Sequence, residues 1–245
     1  MNSQEIERLR TSVVAANQEL VAAGLVLCTW GNVSGIDRSE GIVAIKPSGV
    51  PYDQLSSSTL PLVKLEDGTS IGGDLRPSSD LPTHLELYRA FPDIGGIAHT
   101  HSVCATSFAQ AQKGLPCLGT THADHFHGTI PVTRPLTRDE IATDYEVNTG
   151  KVIVEAFASL SPTRMPAVLV AQHGPFTWGR TPAEAVLNSI VLEAVADMAL
   201  KTLSLRTDSA AIHEALLDKH FLRKHGNSAY YGQTQDRYGG NGGRP

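Results

Sequence analysis

Cysteine is scarce in this chain of 245 residues: only Cys28, Cys104 and Cys117 occur, and no two stand in a C-x-x-C pair. An odd and sparse set excludes a disulfide framework, fits a reducing compartment, and leaves each thiol as a small buried or partly buried residue. Runs of lysine or arginine are also missing, and the formal net charge is −5. That excludes a nucleic-acid or anionic-membrane footprint, so neither partner is expected. An anionic small substrate stays open, because a few local cations and backbone amides suffice to hold one. No stretch approaches the roughly 18 apolar residues of a membrane span. The opening MNSQEIERLR lacks a basic region followed by an apolar one, so no signal peptide is expected and a cytoplasmic location is. What remains is an ordinary globular composition, 41% hydrophobic and 18% charged, with no internal repeat and no clear linker. One α/β domain over residues 1–232 is the simplest organisation, followed by a Gly-rich tail, 233–245, expected to be disordered.

Ile6, Leu9, Val13 and Leu20 recur at helical spacing and predict a helix over 3–23, stopped by Gly24. VLCTW (26–30) and IVAIK (42–46) read as a β-hairpin, and LPLVKL (60–65) with Ser70–Ile71 as a second. A helix begins near Leu81–Pro82 and runs to about Phe91; IGGIAHTH (94–101) reads as a buried strand, and 102–112 as a helix. Thr137-x-x-Glu140 and Thr181-x-x-Glu184 fit capping boxes. AVLVA (167–171) is a short strand, and helices follow over about 182–204 and 209–224, the second closed by Lys224, His225 and Gly226.

His99 and His101 stand at i and i+2 of the predicted strand, so both imidazoles face one side and can reach one metal at about 2.1 Å. His173 ends another predicted strand, with Gly174 and Pro175 forcing a turn behind it. Three such ligands would leave coordination positions open for catalysis. By spacing alone, three unrelated histidines among ten stay equally open. Asp80 in RPSSDLPTH is a natural N-cap for its helix and also a candidate metal ligand or acid/base. Ser78 and Ser79 put hydroxyls at the same helix start, a natural phosphate seat. TWGNVSG (29–35), with Gly31 and Asn32, and IKPSGV (45–50), with Lys46, Ser48 and Gly49, are small-residue loops that either cradle a phosphate or merely turn; neither matches a Walker loop or a dinucleotide fingerprint. THADHFHG (121–128) packs three histidines and Asp124 together, as a second metal site, an acid/base loop or a polar turn. His220 and Arg223, three apart on a helix, share a face, and Arg223 suits a phosphate clamp.

In order along the chain, TWGNVSG, IKPSGV, PSSDLPTH, AFPDIGGIAHTHS, GTTHAD, GTIPVTR, AVLVAQHGPFTWG and LLDKHFLRKHG…AYYGQ resemble the L-ribulose-5-phosphate 4-epimerase family of the class II aldolase group, over about residues 5–233. The resemblance implies one domain with a central, largely antiparallel sheet flanked by helices, assembled as a four-fold symmetric homotetramer with active sites between subunits. It implies one Zn2+ (or Mn2+ or Co2+) per subunit on His99, His101 and His173, with Asp80 a nearby or direct fourth ligand. Gly31, Asn32, Lys46, Ser48, Gly49, Ser78 and Ser79 match substrate and phosphate positions, Asp124 and Tyr231 the acid/base pair, and His220 and Arg223 residues that reach a neighbour's site. The implied substrate is a small phosphorylated sugar, and the implied reaction interconverts L-ribulose 5-phosphate and D-xylulose 5-phosphate, as in arabinose breakdown. Aldolases of the fuculose-phosphate type share the histidine pattern but carry Glu where Asp80 stands, and non-catalytic relatives also exist. The family pattern continues THAD with Tyr-Phe-Tyr, whereas this chain has His125-Phe126-His127.

Overall fold

The computed structural model describes residues 3–226 and 229–230. Its strands are β1 (Asn32–Asp37), β2 (Ile42–Ile45), β3 (Leu62–Lys64), β4 (Ser70–Gly72), β5 (Gly96–His99), β6 (Ala167–Leu169) and β7 (Pro175–Gly179). Its helices are α1 (Ser3–Ala22), α2 (Leu81–Ala90), α3 (Val103–Gln110), α4 (Thr120–Ala123), α5 (Arg138–Ala142), α6 (Tyr145–Ala156), α7 (Pro182–Leu205) and α8 (Glu214–His225). The strands form one sheet in the order β4-β3-β2-β1-β5-β7-β6, antiparallel at every step. This is the expected α/β architecture, an antiparallel sheet flanked by helices.

Strand alternation divides the core in two. Val33 and Ala98 face α1 and the start of α7, where they meet Ala16, Leu20, Ala185 and Val186. Ile36, Val43, Ile45, Ile97, Phe176 and Trp178 belong to the larger core with Leu85, Leu87 and Tyr88 of α2 and Ile153 of α6. Asn17, fully buried on α1, locks that helix to β1: its amide donates to the Val33 carbonyl and accepts from the Val33 N–H. The register then sets the site. Asn32 pairs with His99 and His99 with Phe176, so these three side chains form a row across β1, β5 and β7 on the α2 side of the sheet.

Several expectations need correction. Residues 26–30 are not a strand: Cys28 has φ 53°, Trp30 N–H closes a turn on Leu27, and Cys28, Leu27 and Trp30 are all exposed. The first strand is NVSGID, whose small polar residues hide it from a search for bulky alternation, although helices cover both of its faces. α6 and β7 had no clear signal either. α6 carries Gly150 and the β-branched run Val152-Ile153-Val154, poor helix formers, yet Gly150 is where α2 comes closest: a Cβ there would stand 2.6 Å from Glu86 Cβ. α8 starts at Glu214, with His213 as its cap, instead of near 209. Thr137 and Glu140 form their capping box, and Thr181 accepts from Glu184 N–H, but the Glu184 carboxylate reaches Arg180 N–H, one residue short of a closed box. Each such cap contributes about 1 kcal/mol. The Gly-rich tail lies outside the described residues. Among the described residues no helix is long and apolar enough to cross a membrane.

Two histidines are buried as neutral rings away from water. Burial holds His122 down at about 4, its Nε2 donating to the Gly128 carbonyl, and holds His84 down at about 3. An unfolded chain protonates such rings near 6.5, so their contribution is complete above that pH and is lost as pH falls towards 4 and 3. The melting temperature of metal-free protein is therefore expected to decline steadily between pH 6.5 and 4. His122→Gln should flatten that decline; an unchanged slope would contradict the assignment.

Candidate metal centre and anion pocket

His99 ends β5, and its Nδ1 donates to the Pro175 carbonyl at 2.9 Å. That bond fixes the tautomer and leaves the Nε2 lone pair facing the cavity. His101 follows two residues later, beyond the last strand pair, with its Nε2 3.2 Å from His99 Nε2. His173 arrives from the loop between β6 and β7. The preceding Gln172 sits at φ 62°, a left-handed conformation that non-glycine residues seldom adopt, and local strain of this kind concentrates at functional loops. Gly174 comes so close to the Thr100 carbonyl that a Cβ would lie 2.8 Å from it. These constraints converge the three histidines: their ligand nitrogens all lie within 4.8 Å of one another.

The rings fit a divalent cation. Tetrahedral ligands at about 2.1 Å stand roughly 3.4 Å apart, close to the separation of the His99 and His101 nitrogens. Burial, then the neighbouring imidazoles, lowers His101 and brings His173 to about 3, so both are the neutral donors that a metal requires. Asp80 lines the same cavity. Burial works to raise its carboxyl, but His99, His84 and the Asn32 amide outweigh it and hold Asp80 below the usual range. Asp80 occupies the N-cap position of α2 without capping it; its Oδ2 instead accepts from Asn32 Nδ2 at 2.6 Å. Among the described residues no other cluster could hold a metal, so the THADHFHG loop is not a second centre.

The cavity, about 450 Å3, extends from this centre to two serine-bearing loops. Gly31, Asn32, Lys46, Ser48, Gly49, Ser78, Ser79, Asp80, His99, His101 and His173 all line it. Ser48 N–H donates to the Arg76 carbonyl and Ser78 N–H to the Lys46 carbonyl, which hold the loops side by side. Lys46 is 2% exposed. Its Nζ touches the Pro47 carbonyl at 3.3 Å and lies 4.8 Å over the Tyr52 ring, and burial lowers its pKa. Among the described residues no carboxylate pairs with it. Tyr52 in turn donates to the Gly31 carbonyl, and Gly31, at φ 98°, has no room for a side chain against the His99 carbonyl. Asn32 Oδ1 is buried without a partner among the described residues.

Tyr145 and Glu146 line the cavity too and were missed. Tyr145 Oη lies 3.3 Å from His173 Nδ1. Their signal was an acidic first turn, unreadable until α6 itself was recognised.

Asp124, His220 and Arg223 gather elsewhere. Asp124 Oδ1 accepts from His220 Nδ1 at 3.0 Å and Arg223 Nε at 3.1 Å, and Oδ2 from Arg223 Nη2 at 2.7 Å, with Lys224 at 3.6 Å. Burial opposes charge on Asp124, but the hydrogen bonds from Arg223 and His220 and the charges of Lys224 and Arg223 hold its carboxyl low. None of the three lines the imidazole cavity. Tyr231 lies outside the described residues.

The family model "Class II Aldolase and Adducin N-terminal domain" matches residues 11–200. Similar solved structures include YgbL from Klebsiella pneumoniae, a candidate aldolase/epimerase/decarboxylase, at 25% identity and TM-score 0.68, covering 87% of this chain and 98% of that one. An L-fuculose-1-phosphate aldolase from Thermus thermophilus matches at 25% identity and TM-score 0.62, over 84% and 99%. A further L-fuculose 1-phosphate aldolase, at 23% identity and TM-score 0.69 over 87% and 94%, shares the fold.

Purified protein is expected to bind one divalent cation per chain. His99→Asn should weaken that binding by more than about 100-fold, beyond what loss of an outer partner costs. Equilibrium dialysis with metal analysis reads both, and undiminished binding would remove His99 from the ligand set.

Proposed function

This chain belongs to the class II aldolase and adducin N-terminal domain family, and from that premise we propose that it is a divalent-metal-dependent sugar-phosphate enzyme, an epimerase interconverting L-ribulose 5-phosphate and D-xylulose 5-phosphate. The observation that carries this reading is the union, in one cavity, of three converging imidazoles with a buried Lys46, without a carboxylate partner among the described residues and flanked by Ser48, Gly49, Ser78 and Ser79. One end suits a metal and the other a phosphate. The names of the similar aldolases agree with a phosphorylated sugar.

Direct deprotonation cannot invert C4 of a ketopentose phosphate, because a carbanion there has no adjacent carbonyl. Breaking C3–C4 puts the electron pair on C3, beside the C2 carbonyl, as an enediolate. Zinc, manganese or cobalt on His99, His101 and His173, with Asp80 beside them, would supply Lewis acidity to that developing charge. Lys46 and the serine loops anchor the phosphate of the departing glycolaldehyde phosphate. The aldehyde turns its other face to C3, the bond re-forms, and C4 is inverted. A proton must leave the C4 hydroxyl on one face and return on the other. We assign these transfers to Asp124 and Tyr231. Asp124, held ionised by Arg223 and His220, is suited to accept a proton. Because this trio stands outside its own chain's cavity, it would serve a neighbouring subunit, with Arg223 and His220 reaching the substrate there. On this reading the active sites lie between subunits of a homotetramer.

The runner-up is an aldolase that releases its aldehyde, as the names of the similar structures suggest. Asp80 favours epimerisation: the aldolases of the family carry the longer Glu at that position, which reaches the carbanion as a base, whereas Asp stays with the metal. Metal-loaded enzyme given L-ribulose 5-phosphate is expected to form D-xylulose 5-phosphate in a coupled assay. Free glycolaldehyde phosphate instead would favour the aldolase, and neither product would overturn both. Arg223→Ala should chiefly raise KM, and Tyr231→Phe should leave metal bound while slowing turnover about 100-fold or more.

A further inference from the structure

Beneath Asp80 lies a buried polar relay. Asp80, His84 and Tyr88 are spaced four apart and so share the stripe of α2 that faces the sheet. Ser34 of β1, fully buried, meets both of the latter: its Oγ is 2.7 Å from His84 Nδ1 and 2.8 Å from Tyr88 Oη. Ser34 has one proton, and three polar groups share the two contacts. A consistent arrangement has Tyr88 donate to Ser34 and Ser34 donate to His84 Nδ1, which places the ring proton on Nε2. His84 Nε2 is fully buried and has no hydrogen-bond partner among the described residues. A buried orphan donor costs about 1–3 kcal/mol unless something accepts from it.

The ring is also seated on the metal centre. It packs edge-on against Phe176 at 5.9 Å, and Phe176 stacks on His99 at 4.2 Å. Asp80 stands one helical turn before it, its backbone carbonyl accepting from the His84 N–H at 3.1 Å. Ser34, itself held by Tyr88, already occupies its Nδ1 side.

We propose that His84 is a positioning residue for the metal centre: the Tyr88–Ser34–His84 relay fixes its tautomer, so that Nε2–H is offered to Asp80 through one water, while its ring holds Phe176 against His99. Asp80 would then be braced twice, by Asn32 Nδ2 on Oδ2 and by His84 from the α2 side. A carboxylate held in this way is presented to a cation without the cost of ordering it on binding. The inference rests on the reading that the three imidazoles bind a divalent cation.

The test measures Co2+ affinity by chelator competition, the visible absorption of the Co2+ protein, and the melting temperature of metal-free protein, at pH 7.5. His84→Phe keeps the ring and its contact with Phe176 but removes both nitrogens. It should lower Co2+ affinity about 10-fold or more and alter the absorption bands, with the metal-free melting temperature preserved or raised because an orphan donor is gone. His84→Gln restores an N–H and should recover part of the affinity. Ser34→Ala, a smaller change, should weaken Co2+ in the same direction and carries the test if His84→Phe does not fold. Wild-type affinity and bands in both His84→Phe and Ser34→Ala would overturn the proposal. So would a fall in metal-free melting temperature with no change in affinity, because that is a structural role only. Wild-type protein that binds neither Co2+ nor Zn2+ would instead overturn the metal reading, so the two failures are distinguishable.

Discussion

The hydrogen bond from His99 Nδ1 to the Pro175 carbonyl links the sheet to the chemistry. It joins the end of β5 to the start of β7, and it commits one ring nitrogen so that the other is the ligand. It exists only in the observed register, in which His99 lies opposite Phe176. A slip of one residue would turn His99 to the α1 face and Ala98 to the cavity. The same register brings Asn32 opposite His99 and hence within reach of Asp80. Close approach of Gly31 and Gly174 to the backbone on either side of His99 and His101 admits no bulkier residue. The imidazole cluster is thus a consequence of strand pairing, and α2 and the β6–β7 loop are fitted to it.

Charge in the cavity is arranged in opposition. At one end stand three converging imidazoles and a carboxylate, Asp80, held below its usual range. At the other, Lys46 is buried without an anionic partner among the described residues. Burying an unpaired ammonium costs several kcal/mol, and the contacts with Tyr52 and the Pro47 carbonyl offset only part of that. A phosphate arriving between Lys46 and the serine hydroxyls would complete the compensation. Binding energy gained there, remote from the bond that breaks, can be used to orient the sugar over the metal. Both ends are incomplete without a ligand, which is the electrostatic pattern of a binding site and not of a structural core.

Much of this was legible in the sequence because the site residues stand in loops and at strand ends, where residue type is set by function. His-x-His, PSSD and QHGP each mark such a place, and all three enter the cavity. Core patterning also served for α1, α2 and α7, which show one dominant apolar stripe or a clear cap. Legibility failed where tertiary contact overrode local preference. NVSGID is a strand because α1, α7 and α2 cover it, not because its side chains favour one. α6 is a helix despite Gly150, since that glycine lets it pack on α2. Losing α6 meant losing Tyr145 and Glu146. Asp80 was read as a cap from its position, but Asn32, 48 residues earlier, captures its carboxylate, and no local pattern announces that.

The departure His125-Phe126-His127 finds a physical account in α8. His127 Nε2 lies 2.7 Å from Asp218 Oδ1, and its ring meets Phe221 edge-on at 4.9 Å. Phe221 stacks in turn on His225, whose Nε2 donates to the Asp124 carbonyl. His127 therefore supplies the polar tip and aromatic body that a tyrosine would, and it clamps the helix that carries His220 and Arg223. On the proposed reading, those two residues and Asp124 must be delivered together to another subunit's cavity. A shared clamp between the Asp124 loop and α8 keeps the trio in one geometry, so that docking a neighbour positions the base and its hydrogen-bond partners in a single step.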